Sequence, residues 1–163
     1  MNKFYFLCFY LISTVFPQSY WAGDQISLDD QNYGFEVCYA SDEYNLGDNW
    51  KLSDYNGDLN GGNYHITFID LSASWWGTCW SSISFMDEQE EYWLTNNPAV
   101  FFITALQDVG QPYTCEEWGD RGIEGYPLIV EDPNSGLMFG WLHDSWNALP
   151  SYVILDHTMT VRA

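Results

Sequence analysis

Residues 66–79 read Ile66-Thr67-Phe68-Ile69-Asp70-Leu71-Ser72-Ala73-Ser74-Trp75-Trp76-Gly77-Thr78-Cys79. The run from His65 to Leu71 is β-branched and aromatic, the pattern of a buried central strand. Ser72 to Thr78 reads as a loop. From Cys79 to Leu94 the apolar residues Trp80, Ile83, Met86 and Trp93 recur at helical spacing. Asp87, Glu88, Glu90 and Glu91 give that helix a solvated face. Asn96, Asn97 and Pro98 stop it.

The pattern continues outward on both sides. Ala99 to Leu106 predicts a second buried strand, and Thr114 can cap a short helix ahead of Glu116 and Glu117. Pro127 to Val130 starts a further extended segment, Asp132 to Gly136 is a turn, and Leu137 to His143 is an apolar stretch of open class. Ser151 to Asp156 and Met159 to Arg162, separated by His157-Thr158, predict a closing hairpin. Upstream, Tyr33 to Tyr39 carries a short strand within a polar, acidic leader. Trp50 to Asp54 enters a turn at Tyr55-Asn56-Gly57-Asp58, where Asn-Gly suits positive φ angles. Asp54, Asn56, Asp58 and Asn60 alternate like part of a calcium loop. Leu59 stands where such a loop needs glycine, and no glutamate closes it, so the turn reading prevails. Strands alternating with helices predict a mixed α/β architecture around a central sheet.

The length of 163 residues fits one domain plus a leader, and 47% hydrophobic residues suffice for a packed core. Against 23 acidic residues stand 4 basic ones, a formal net charge of -19 at pH 7. Such a chain repels phosphate backbones and anionic membrane surfaces, which excludes nucleic acid as a partner. At the amino terminus, Lys3 precedes the uncharged run Phe4 to Phe16, broken by Pro17. That run is too short to span a bilayer comfortably and suits a signal peptide. The expected division is therefore residues 1–23 as leader, 24–47 as an extension and 48–163 as the domain. No membrane insertion is expected once the leader is removed. Cys8 falls inside the leader, so Cys38, Cys79 and Cys115 remain. In an oxidising compartment they allow one disulfide and one leftover thiol.

The stretch 66–79 resembles the strand, A-T-W-C-G-P-C loop and helix of the thioredoxin-like redoxins, especially the exported TlpA-like and AhpC/TSA-type branch. Leu149-Pro150-Ser151-Tyr152-Val153-Ile154-Leu155-Asp156 resembles that family's x-P-(T/S)-x-x-x-I-D segment, in which the proline is cis and faces the redox motif. Trp50 to Gly57 is similar to the lead-in strand and turn. The likeness covers roughly residues 48–163 and implies a thioredoxin-like α/β fold, with a central mixed sheet flanked by helices. Family domains end on a further helix, so either that helix is missing or the sequence is a fragment. The resemblance also implies an extracytoplasmic place, periplasmic or secreted, and protein or peptide thiols and disulfides as partners. It implies no cofactor and no metal, and no His/Cys spacing suggests a zinc site.

One departure governs the chemistry. Trp76 occupies the place of the family's nucleophilic cysteine, and Cys79 matches the second, resolving one. A resolving cysteine lies a helical turn inward, where apolar surroundings raise a thiol's pKa. Ordinary dithiol exchange by Trp76-Gly77-Thr78-Cys79 is expected to fail. Cys115 is the candidate partner of Cys79, as a relocated redox couple or as a structural staple. Cys38 is either the odd thiol or the partner of Cys115. Trp75, Trp76, Gly77, Thr78, Leu149 and Pro150 are expected to form the motif and the wall of a substrate groove. Three readings follow: a thiol-disulfide or antioxidant protein with impaired activity, a non-catalytic peptide-binding module, and a single-cysteine peroxidase using Cys79. The last needs a nearby cation, and beyond the leader only Lys51, Arg121 and Arg162 are available.

Overall fold

The computed structural model describes residues 18–122 and 128–163. In chain order the elements are α1 (Leu28–Gln31), β1 (Phe35–Tyr39), β2 (Asn49–Trp50), a 3-10 turn (Leu52–Tyr55), β3 (Ile66–Ala73) and α2 (Gly77–Asn96). They continue with β4 (Val100–Gln107), α3 (Cys115–Gly119), β5 (Leu128–Asp132), α4 (Pro133–Leu142) and β6 (Ser151–Leu155). The strands form one six-stranded sheet in the order β2-β1-β5-β4-β3-β6. β3, β4 and β5 run parallel, while β6 and β1 flank them antiparallel. This is the mixed α/β class that the sequence predicts.

Both faces of the central strands are covered, which is why β3 and β4 read as continuous apolar runs. Ile69, Leu71, Ile103 and Ala105 pack on one face with Trp50, Leu52, Met138 and Trp141. On the other face, Phe102 and Val100 meet Met86 of α2, and Leu106 joins Ile83, Cys79 and Trp118. Period-two alternation along each strand assigns its side chains to the two layers.

The polar leader is woven into this sheet. β1 pairs with both β2 and β5, and Ile26 and Tyr20 are buried in the core. Tyr20 donates its backbone N–H to Trp141 O at 2.7 Å, and its ring is 3% exposed. The leader assigned to residues 1–23 lies outside the described residues as far as residue 17, and so does Cys8. Pro127, expected to open β5, also lies outside them, and the strand starts at Leu128.

Two expectations are corrected. The run Trp50 to Asp54 is strand only over Asn49–Trp50 and then tightens into the 3-10 turn, where Asp54 accepts the Lys51 backbone N–H. The closing hairpin forms, with Asp156 N donating to Thr160 O, Arg162 N to Ile154 O and Ile154 N to Ala163 O, but its second limb is no regular strand and makes isolated bridges, Leu155 to Val161 and Gln25 to Thr160. Its backbone is shared: Val161 donates to Asp24 O, and Met159 O accepts from Ile26. The open stretch at 137–143 is resolved as helix. α4 begins irregularly, with Asn134, Ser135 and Gly136 at φ 57°, 57° and 104°. Asp132 then receives the Met138 and Phe139 N–H groups on its two carboxylate oxygens at 2.7 and 3.0 Å. Those are orphan donors of a helix start, satisfied by an acidic residue just upstream.

Candidate functional site

β3 delivers the motif to the end of the sheet. Trp76 is the N-cap of α2, Gly77 and Thr78 are exposed in its first turn, and Cys79 turns inward. Cys79 is 0% exposed and is the free thiol among the described cysteines. Burial pushes its pKa up, partly offset by hydrogen bonds from Ala73 and Ser72, and the Asp70 carboxylate raises it further. The surface above it is closed by stacked rings. Trp80 lies 3.8 Å from Tyr113, and the Arg121 guanidinium sits 4.6 Å over the same indole. Arg121 also donates to Trp80 O at 3.1 Å.

The expected pairing of Cys79 with Cys115 is corrected here. Cys115 is bonded to Cys38, with Cα atoms 5.7 Å apart, tying the end of β1 to the start of α3. The physical reason is adjacency: β1 lies in the sheet beside β5, and α3 packs against it. The helix cap at Thr114 forms as the sequence predicts. Its hydroxyl accepts from Glu117 N, while the Glu117 side chain receives Thr114 N–H. Cys79 shares the cluster of Cys115, Trp118 and Leu106 without bonding to it.

Beneath α2, strand register sets Thr104, Asp70 and Tyr152 in one row across β4, β3 and β6. Asp70 is 3% exposed and accepts from Ser72 Oγ at 2.9 Å. Burial pushes its pKa up to about 7, against the lowering effect of the Ser72 and Thr104 hydroxyls. Sequence reasoning passed over this residue, although a carboxylate inside the run His65 to Leu71 is visible there.

Trp75, Trp76 and Leu149 come together as the walls of an open cleft of about 480 Å³ at the end of the sheet. Gln107, Asp108, Ser135, Phe139 and Asn147 complete it. The Leu149–Pro150 peptide is cis, both residues are half-buried, and β6 follows directly. The motif loop is tied to the loop after β4. Ser74 Oγ donates to Asp108 O and to Gln111 O, and Trp75 Nε1 donates to Asp108 Oδ2 at 2.9 Å. A second cavity, of about 840 Å³, lies at the other end of α2 beside Glu90, away from the motif. Among the described residues no cluster of His, Cys, Asp and Glu is arranged to hold a metal ion.

The buried carboxylates make stability pH-dependent. Burial raises Asp70 to about 7, Glu90 to about 8 and Asp132 to about 6. A raised folded-state pKa means the folded form holds its proton more tightly. That contribution is present below the unfolded pKa and is lost as pH climbs through 6 to 8. Asp156 has the opposite sign: hydrogen bonds from Thr158, Thr160 and Arg162 outweigh its burial and hold it down to about 2. Its contribution is present above its unfolded pKa and lost as pH falls towards 2. Stability is therefore expected to peak near about pH 4–5 and decline towards pH 8. In urea unfolding, Asp70→Asn should add about 2–4 kcal/mol at pH 8 and almost nothing at pH 4. An equal gain at both pH values would contradict the assignment.

No protein-family model matches the chain, nor does any curated protein sequence. Solved structures do match. One is a protein provisionally described as the thiol:disulfide interchange protein DsbE of Chlorobium tepidum, with a TM-score of 0.60 and 16% identity, covering 89% of this chain and 84% of that one. Another is a secreted Mycobacterium tuberculosis disulfide oxidoreductase homologous to E. coli DsbE, with a TM-score of 0.56 and 10% identity over 83% and 84%. Peroxiredoxin Q of Xanthomonas campestris matches with a TM-score of 0.53 and 10% identity over 87% and 84%. The chain therefore has the thioredoxin-like fold.

Proposed function

We propose that this chain is an exported protein derived from the thiol-disulfide oxidoreductases, in which exchange at the motif is disabled and the motif cleft serves binding. The observation that carries this is Cys79: a fully buried thiol, without a cysteine partner and with its pKa pushed up. Exchange needs a thiolate that reaches a substrate sulfur and a second thiol that releases the mixed disulfide. Here Trp76 holds the exposed position and Cys115 is engaged with Cys38.

The peroxidase reading is weaker. No cation acts on Cys79 among the described residues, since burial and the Asp70 carboxylate both oppose the thiolate. Arg121 is stacked on Trp80, and Arg162 pairs with Asp156 at 2.6 Å. A peroxidatic cysteine needs such a charge to hold the thiolate and polarise the peroxide.

The test is turnover of insulin disulfides with dithiothreitol, with and without the protein. The rate is expected to match the uncatalysed background. Catalysed reduction by the wild-type chain would overturn the reading.

Export fits the apolar leader and the disulfide, which suits an oxidising compartment. Because Tyr20 is a core residue, the mature chain is expected to start at or before it. Amino-terminal sequencing of the exported protein checks this, and a start at Asp24 would contradict it.

A further inference from the structure

We propose that the cleft between the motif loop and α4 binds a neutral saccharide, seated against the Trp75 and Trp76 indoles and hydrogen-bonded by the Gln107 amide. This rests on the binding reading above and names its ligand class.

The first support is Gln107. It is 6% exposed as a whole and lines the cleft, and its amide, which no described side chain or backbone group hydrogen-bonds, is open to the cleft and not sealed from solvent. An amide presented to a cleft with no protein partner keeps both its donor and its acceptor available to a ligand. Its place is made by a glycine: a Cβ on Gly136 would stand 2.4 Å from Gln107 Oε1. Gly136 thus leaves room for the amide at the floor of the cleft.

Backbone conformation gives a second, independent support. Asp108, Ser135 and Asn147 have φ of 55°, 57° and 51°, and all three line this one cleft. Left-handed non-glycine residues are disfavoured, and they gather where a surface is shaped for a ligand. The Trp75 and Trp76 rings meet edge to face at 5.6 Å and are 52% and 44% exposed, with Trp75 held by Asp108.

The polar groups select the chemistry. Two carboxamides, a carboxylate and a hydroxyl line the cleft, with no cation among the described residues. An anionic ligand would meet Asp108 and a chain of net charge -19. Adjacent sugar hydroxyls each donate and accept, which matches the paired donor and acceptor of Gln107 and Asn147. The C–H face of a pyranose ring offers the partial positive charge that an indole face attracts. A peptide backbone docks best on a free strand edge. The edge of β6 is already engaged, through Ile154 N to Ala163 O and Arg162 N to Ile154 O. The volume of about 480 Å³ lies within the range of ligand pockets, about 300–1,000 Å³.

The experiment titrates the mature protein with cellobiose, maltose and N,N′-diacetylchitobiose, and separately with an uncharged extended tetrapeptide. Tryptophan fluorescence and indole N–H resonances are followed. Saturable binding of at least one disaccharide is expected at millimolar concentration or below. Gln107→Leu and, independently, the exposed Trp76→Ala should each weaken it at least about tenfold. Trp93→Ala, far along α2, should leave it unchanged. No disaccharide binding, or binding indifferent to both cleft variants, overturns the proposal. Binding of the tetrapeptide alone overturns the saccharide and leaves the binding reading standing. Catalysed insulin reduction by the wild type removes that reading separately.

Discussion

Replacing Trp76 by cysteine is expected to raise dithiothreitol-driven insulin reduction at least about tenfold above the wild-type background. Trp76 caps α2, a helix of 20 residues, and its side chain is 44% exposed. A thiol there meets unpaired backbone N–H groups and the positive end of the helix dipole, which lower its pKa. Cys79 follows one turn later, so the two Cα atoms fall at about 5–6 Å, within disulfide range. The introduced thiolate attacks a substrate disulfide, forming a mixed disulfide and releasing one substrate thiol. Cys79 then attacks the enzyme-side sulfur, closes the motif disulfide and frees the second thiol. Dithiothreitol reduces the motif again. A folded variant that stays inert would show that Cys79 lies too deep to resolve the intermediate, and that more than Trp76 has been lost.

The second large effect concerns stability. The Cys38–Cys115 bond closes a loop with a sequence separation of 77 residues. Chain entropy for a loop of that length gives about 4.5 kcal/mol, model-dependent and within the usual span of about 2–5 kcal/mol for native bridges. Cys38→Ala with Cys115→Ala is therefore expected to lower the midpoint of thermal unfolding by about 10 °C or more. Reducing the wild type should give a similar loss. Both cysteines border the Cys79 cluster, so the same variant should also speed labelling of Cys79. A loss under about 1 kcal/mol would mean the bridge does not form in the native protein.

Much of this fold was legible because its signals are local. The β-branched run before the motif became β3, and the periodic run after it became α2, two residues longer at each end than expected. Thr114 announced its own cap. What failed depended on partners distant in sequence. Met159 to Arg162 does fold back on β6, through Arg162 N to Ile154 O, yet residues 24–26 also bond it from the other side, a pairing its own sequence does not announce. Cys115 could not be paired from sequence, because its partner depends on β1 inserting beside β5, a contact no spacing reveals.

The candidate site was legible in part. Trp75, Trp76 and Leu149 do share one cleft, and Cys79 lies buried as its position implies. Gln107 and Asp108, at the end of an apolar strand, and Ser135 and Asn147, in turns, carried no motif. They matter through backbone conformation and through the room that Gly136, lacking a side chain, leaves for Gln107, neither of which the sequence displays.

The motif thiol is sealed, and the protein's disulfide lies elsewhere. The most direct test labels thiols in the exported protein before and after denaturation and maps them by peptide mass spectrometry, with and without reductant. Cys79 should be unlabelled in the native state and labelled after unfolding without reductant, and a Cys38–Cys115 bridged peptide should be found. Rapid native labelling of Cys79, or a Cys79–Cys115 peptide that reduces and re-forms, would contradict this.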